Sequence, residues 1–225
     1  VLGQCAPEFA AGAGYGSSPA LTYSGTDDAG QYFQLSEISY GGLPGRRVGD
    51  GLDGHSWWPL FTSIPSEYIE SYFPVTVLSY RSIPDSGGAG RHRGGNGVEK
   101  IYRFEASGEI TIQDDRWRSQ PWGWDGGLPG QPSRKVLLRT DGTEEELPSK
   151  CDLVPVGAGD RLIFTTAGGG GLGSPKERPA ELVAEDVRKG LVGTEMATTN
   201  YGVALREDLT VDEAVTARLR TGNAV

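Results

Sequence analysis

The sequence predicts an α+β fold: a mainly antiparallel β body with short helices and a helical C-terminal tail. Three observations carry this expectation. Between Pro74 and Thr166, six short runs ("VTVLSYRS", "VEKIYRFEA", "EITIQDDR", "KVLLRT", "EEELPSK" and "RLIFTT") alternate in polarity or are rich in β-branched residues. Turn signals such as "SGE" and "TDGTE" separate them. From Ser174 onward the apolar spacing becomes that of helices. The 35 glycines of the 225-residue chain fall in short clusters between apolar segments without a G-X-Y period, so collagen-like and low-complexity readings fail.

Taken in order, residues 1–30 are small, glycine-rich and aperiodic, and predict an extended segment that needs a partner surface to order it. "QYFQLSEISY" (Gln31 to Tyr40) sets Tyr32 and Gln34 against Phe33 and Leu35 and reads as the first strand. A glycine-rich loop follows from Gly41 to Gly54. In "PSEYIESYF", Pro65 precedes Ser66 and Glu67, and Tyr68, Ile69 and Tyr72 share one side, which predicts a short helix. The strand runs then complete a β-rich body over residues 31–175. In the tail, residues 176–225, Leu182, Val183 and Val187, then Val211, Ala214, Val215 and Leu219, recur at helical spacing, and Thr210 with Glu213 forms a capping-box pattern.

Composition narrows the function classes. Lys and Arg number 21 against 30 Asp and Glu, a formal net charge of −9, with no long basic run, which argues against nucleic acid as a ligand. Cys5 and Cys151 are far apart and form no CxxC, so neither a disulfide framework nor a zinc ribbon is expected, and a cytoplasmic setting is. No apolar run reaches the ~20 residues of a membrane helix.

Three stretches invite chemistry. "GGGGLGSPK" (Gly168 to Lys176) follows a strand and precedes a helix, the order of a phosphate loop, but Gly173 is followed by Ser174 and Pro175 instead of Lys and Ser/Thr, so ATP binding by this chain alone is not expected. "GDGLDGHSWWP" (Gly49 to Pro59) places Asp50, Asp53 and His55 within six residues, next to Ser56, Trp57 and Trp58. Carboxylates beside an imidazole can orient a catalytic base, and two indoles can wall an apolar substrate. The same residues also suit a turn with buried anchors. With two histidines and two separated cysteines, the chain is not expected to assemble a transition-metal site of its own. "PDSGGAGRHRGGNGVEK" (Pro84 to Lys100) offers six glycines with Arg91 and Arg93, which can fork onto a substrate anion or onto the chain's own acidic surplus as a structural corner.

The ordered series "DGLDG", "PSEYIESYFPV", "PDSGGAGRHRGGNGVEK", "DDR", "PWGWDGGLPG", "ELPSK", "GDRLIFTTAGGGGLGSP" and "VRKGLVGTEMATTNYGV" resembles the C-terminal part of the hydantoinase B/oxoprolinase family. That family includes the B-type components of ATP-dependent hydantoinases and lactamases, the second half of 5-oxoprolinase, and subunits of acetone and acetophenone carboxylases. The resemblance implies a split-off B-type subunit, or a fragment of one, of a larger enzyme, with ATP and Mg bound by an A-type (hydantoinase A-like) subunit. It further implies an N-terminal B-type subunit or segment that carries a divalent metal, and it allows a small zinc-bearing subunit. On this reading His55, Asp53 and Asp50 are catalytic, and Ser56, Trp57, Trp58, Arg91 and Arg93 line the substrate. Family members resemble "DGxDGxHTHMTNTxNTP" where this chain has "DGLDGHSWWPLFTSIPSEY". The more aromatic wall suits carboxylation of an apolar or aromatic ketone through a phosphorylated enol. ATP-dependent hydrolysis of a cyclic amide is the alternative, and a non-catalytic structural subunit is a third.

Overall fold

A computed structural model describes residues 5–27, 29–57 and 61–221. Among the described residues nine strands form two sheets, antiparallel throughout: β1 (Ala20–Thr26), β2 (Tyr32–Ile38), β3 (Val75–Ser82), β4 (Val98–Phe104), β5 (Gly108–Gln113), β6 (Arg134–Leu138), β7 (Glu144–Leu147), β8 (Lys150–Val156) and β9 (Arg161–Thr165). One sheet has the order β2-β1-β5-β8 and the other β3-β4-β9-β6-β7. Helix α1 (Ser66–Tyr72) leads into β3, and α2 (Ala180–Arg188), α3 (Thr194–Thr199) and α4 (Glu213–Thr221) form the tail. No helix among the described residues is long and apolar enough to cross a membrane.

The two sheets share one core. Leu21, Tyr23, Leu35, Ile110 and Ile112 from the first pack with Tyr102, Phe104, Leu137, Leu162 and Phe164 from the second, and the rings of Tyr23 and Phe104 lie 4.7 Å apart. Alternation along β4 turns Val98, Lys100, Tyr102 and Phe104 inward together. Lys100 is therefore a buried charge, and Glu37 of β2, in the opposite sheet, answers it at 2.5 Å, with its other oxygen accepting the Tyr102 hydroxyl at 2.7 Å. A second buried pair, Lys135 on β6 with Asp114 just beyond β5, repeats the device. Burial pushes Asp114 up and Lys135 down, each toward its neutral form. A one-residue slip of either strand would leave a charge alone in the core, so both pairs pin register across the sandwich.

Two expectations are corrected. Tyr32–Ile38 is the second strand, because Ala20–Thr26 precedes it and lies between β2 and β5 in the sheet. That strand buries Leu21 and Tyr23, so its end of residues 1–30 is ordered by this chain itself. At α4 the cap is Asp212, whose carboxylate accepts the Val215 N–H at 3.0 Å, while the Thr210 hydroxyl turns to Asp208 at 2.6 Å. Strand β8 and helix α3 are additions to the elements expected from the sequence. Pro155 is tolerated in β8 because that strand lies at a sheet edge.

The glycine clusters build a second kind of core. Residues 168–173 thread between three other segments and donate to each: Gly170 to Ala13, Leu172 and Gly169 to His92 and Gly95, and Gly173, Gly171 and Gly168 to Trp124, Leu128 and Gln131, at 2.7–3.1 Å. Gly42 and Gly45 return bonds to Ala167 and Gly170. No side chain separates these backbones. A Cβ on Gly94 would collide with the carbonyl of Gly169, and one on Gly12 would lie 2.7 Å from the carbonyl oxygen of Gly170. Only glycine permits this approach, for the reason that governs the collagen axis.

Candidate functional site

The segment Gly49 to Trp57 leaves the glycine bundle at its surface, and its two carboxylates turn toward arginines. Asp53 takes a bidentate fork from Arg93 at 2.7 and 2.9 Å and the Asn96 N–H at 2.6 Å. Asp50 takes the fork of Arg178 at 2.7 Å to each oxygen and the Arg93 N–H at 2.9 Å. Asp186, buried on α2, accepts Arg178 at 2.7 Å and lies 3.7 Å from the Arg93 Nε. Two arginines and three aspartates thus form one chain of charge, Asp53–Arg93–Asp186–Arg178–Asp50, that ties the site loop to the helical tail. Burial alone would raise the Asp50 carboxyl, but the Arg178 fork and the Arg93 N–H hold it below its ordinary value. Burial prevails at Asp186 and raises it despite both guanidiniums.

The structure uses Arg93 differently from the substrate role expected of it, because its guanidinium is enclosed and its fork is taken by Asp53. Asp50 and Asp53 likewise engage arginine and backbone, which leaves the expected orientation of the His55 imidazole by these carboxylates without a supporting contact among the described residues. The acidic surplus is what these arginines read.

His55, Ser56 and Trp57 are held by a residue that the sequence did not single out. The Tyr15 hydroxyl donates to the His55 carbonyl at 2.9 Å and accepts the Trp57 N–H at 2.9 Å, and the Tyr15 carbonyl accepts the Trp57 indole N–H at 3.3 Å. The two rings lie 5.9 Å apart. Burial pushes the Tyr15 phenol up to about 12, so the hydroxyl stays protonated as this double role requires. The His55 N–H is fixed to the Gly41 carbonyl at 3.1 Å. The main chain of the loop is clamped while the His55 side chain faces solvent beside a half-exposed Trp57. Ser56 is half-buried in the same loop, and Trp58 lies outside the described residues.

Arg91 is exposed and lines a surface cleft of about 240 Å³ with Arg47, His92, Asp125, Ser174 and Glu177. Burial lowers His92. The adjacent glycine run has no donors left for a phosphate, since each N–H from Gly168 to Gly173 already meets a carbonyl of another segment. Among the described residues no group of three or more His, Cys, Asp or Glu could hold a metal ion.

A sequence profile of the hydantoinase B/oxoprolinase family matches residues 1–175. The chain belongs to this family. Among hydantoinase B/oxoprolinase relatives, the B component of a putative D-/L-hydantoinase from Pseudomonas sp. is 31% identical over 92% of this chain and 35% of its own length. The beta chain of the Pseudomonas jessenii caprolactamase is 29% identical over 96% of this chain and 39% of its own. The crystal structure of the ATP-dependent caprolactamase from that organism superposes with a TM-score of 0.81, covering 98% of this chain and 40% of that one. A nucleotide-free acetone carboxylase, at 23% identity and a TM-score of 0.75, shares the fold over 92% of this chain and 34% of its own. The chain thus spans well under half the length of these relatives.

Arg178, Asp186 and Tyr15 are the site-forming residues that sequence reasoning passed over. Only Asp186 left a trace, as a carboxylate three residues beyond Val183 and so on the same side of the helix. Nothing local marks Arg178 or Tyr15.

Proposed function

We propose that this chain is one part of an ATP-dependent enzyme that opens a cyclic amide of the hydantoin, lactam or 5-oxoproline type. The observation that carries the proposal is the match, over nearly the whole chain at 28–29% identity, to an enzyme that by name acts on caprolactam. Hydrolysis adds one water across the ring C–N bond, and resonance makes that carbonyl a poor electrophile. ATP and Mg, bound by an A-type partner, supply the activation, and a divalent metal belongs to the N-terminal B-type portion. His55 serves as the general base for water, Trp57 forms an apolar wall beside Ser56, and Arg91 steers the anionic product. Asp50 and Asp53 act as positioning residues through Arg178 and Arg93. Two cysteines without a bond between them and a need for ATP fit a cytoplasmic setting.

Ketone carboxylation is the second reading, and the half-exposed indole of Trp57 favours it. A complex reconstituted with A-type and N-terminal B-type subunits separates the two, because ring opening yields an amine whereas carboxylation incorporates labelled bicarbonate. His55→Ala should reduce turnover by roughly 10²–10⁴-fold, the usual range for a lost general base. Undiminished turnover in a complex of unchanged composition would assign the chain a structural role instead.

A further inference from the structure

Helix α1 and the edge strand β3, which follow the site loop in sequence, present exposed aromatic side chains. Tyr68 and Tyr72 are 52% and 67% exposed with their rings 4.5 Å apart and tilted by 35°, and Leu78 and Tyr80 on β3 are 42% and 44% exposed. Hydrogen bonds tie β3 to α1 and to the segment before it. Glu70 of α1 accepts the Val77 N–H of β3 at 2.8 Å, and Ser63, on the segment leading from the site loop, meets the Tyr80 hydroxyl at 3.1 Å. Large apolar side chains gathered in this way mark an interaction surface more often than isolated ones do.

The two edges of this sheet are built differently. At β7 three successive glutamates, Glu144, Glu145 and Glu146, deter any added strand, whereas β3 offers Leu78 at a bulge and Tyr80 beyond it. Tyr80 also lies 5.1 Å over the buried Lys100 ammonium, so one side of its ring screens the cross-sheet ion pair while the ring remains partly open to water.

We propose that this face docks the portion of a B-type polypeptide lying outside the region that this chain matches. The proposal rests on the reading of the chain as one piece of such an enzyme. In the caprolactamase, about three fifths of the chain lies beyond the 40% that matches here, a body larger than this one. It is a partner large enough to cover an apolar face and an open strand edge together. Position in the sequence supports the assignment too, since α1 begins nine residues beyond Trp57. The partner is expected to present aliphatic or aromatic side chains and unpaired backbone groups to β3.

The test mixes the full chain with a separately expressed polypeptide holding the part of the Pseudomonas jessenii caprolactamase beta chain outside the matched region. Sedimentation should show a one-to-one complex, and hydrogen exchange should slow at residues 66–82. Tyr68→Asp with Tyr72→Asp should weaken binding at least tenfold, Leu78→Arg should weaken it independently, and Val48→Asp, on an exposed residue elsewhere, should not. Circular dichroism checks that each variant is folded. Unchanged binding by the tyrosine and leucine variants, protection confined to other residues, absence of a complex, or self-association of this chain through the same face would each overturn the proposal. The readout is binding, so a complex that forms through this face yet opens no cyclic amide would refute the functional reading and leave the docking surface standing.

Discussion

Replacing Arg178 with methionine should detach the helical tail from the site loop. Arg178 is enclosed and donates to Asp50 on one side and Asp186 on the other, so its loss leaves Asp186 buried with only the 3.7 Å contact to Arg93. Removing one partner of a buried ion pair costs about 3–5 kcal/mol. The Asp50 arm adds less, on the order of 0–1 kcal/mol, because that carboxylate is about one third exposed and screened by water. In a chain of this size each kcal/mol moves the melting temperature by about 2–4 °C, so a loss of about 3–6 kcal/mol predicts a fall of roughly 6–24 °C at pH 7. The pH dependence has a definite sign. Asp50, depressed in the folded state, contributes stability above its ordinary value of 3.8 that is lost as pH falls through its lower folded value. Asp186 is raised, so its ionised form opposes folding at neutral pH and protonation relieves it. The deficit of the variant should therefore be largest near neutrality and narrow on acidification. Adding Asp186→Leu should restore much of the loss. Calorimetric melts from about pH 2 to 7 measure all of this, with limited proteolysis of residues 175–221 as the local readout. A shift below about 2 °C at pH 7, or a deficit that grows on acidification, would refute the reasoning.

Gly94→Ala should prevent folding or lower the melting temperature by more than 10 °C, on the order of 3 kcal/mol or more, because its Cβ meets a carbonyl that cannot move; Gly142→Ala, at φ +88° in open space, should cost only about 1 kcal/mol, and a soluble-expression and melting comparison checks the pair. Tyr15→Phe removes the hydroxyl shared by His55 and Trp57 and should cost about 1 kcal/mol while shifting Trp57 emission, with an unchanged spectrum counting against the clamp. Lys135→Met should destabilise by about 3–5 kcal/mol by leaving Asp114 alone, and Lys135→Met with Asp114→Leu should lie near the parent in a denaturant titration.

Much of the β body was legible because its strands alternate or are rich in β-branched residues, and α1, α2 and α4 because their apolar residues share a side. Strand β1 was not legible: "ALTYSGT" buries only Leu21 and Tyr23 and sits among glycines that suppress any periodic signal. Strand β8 was hidden by Pro155, and α3, six residues long, is shorter than the window in which helical periodicity emerges. The loop from Gly49 to Trp57 was recognised as a site from its residue types, but its wiring was not. Asp50 reaches an arginine 128 residues away, and Arg93 reaches Asp53 across 40. Local spacing carries no trace of such pairings.

The bundle of glycine segments gives the protein an interior made of peptide groups instead of hydrocarbon. Such a core has no rotamers to freeze and no methyl groups to repack, so it cannot relax around an added atom as an aliphatic core does. Unfolding it exposes polar surface, which lowers the heat capacity of water around the chain, whereas the neighbouring sandwich exposes apolar surface, which raises it. The two halves of the interior thus respond oppositely to temperature. The stability curve of the whole should be flatter than that of an aliphatic-cored domain of equal length, with the glycine bundle contributing least to its curvature.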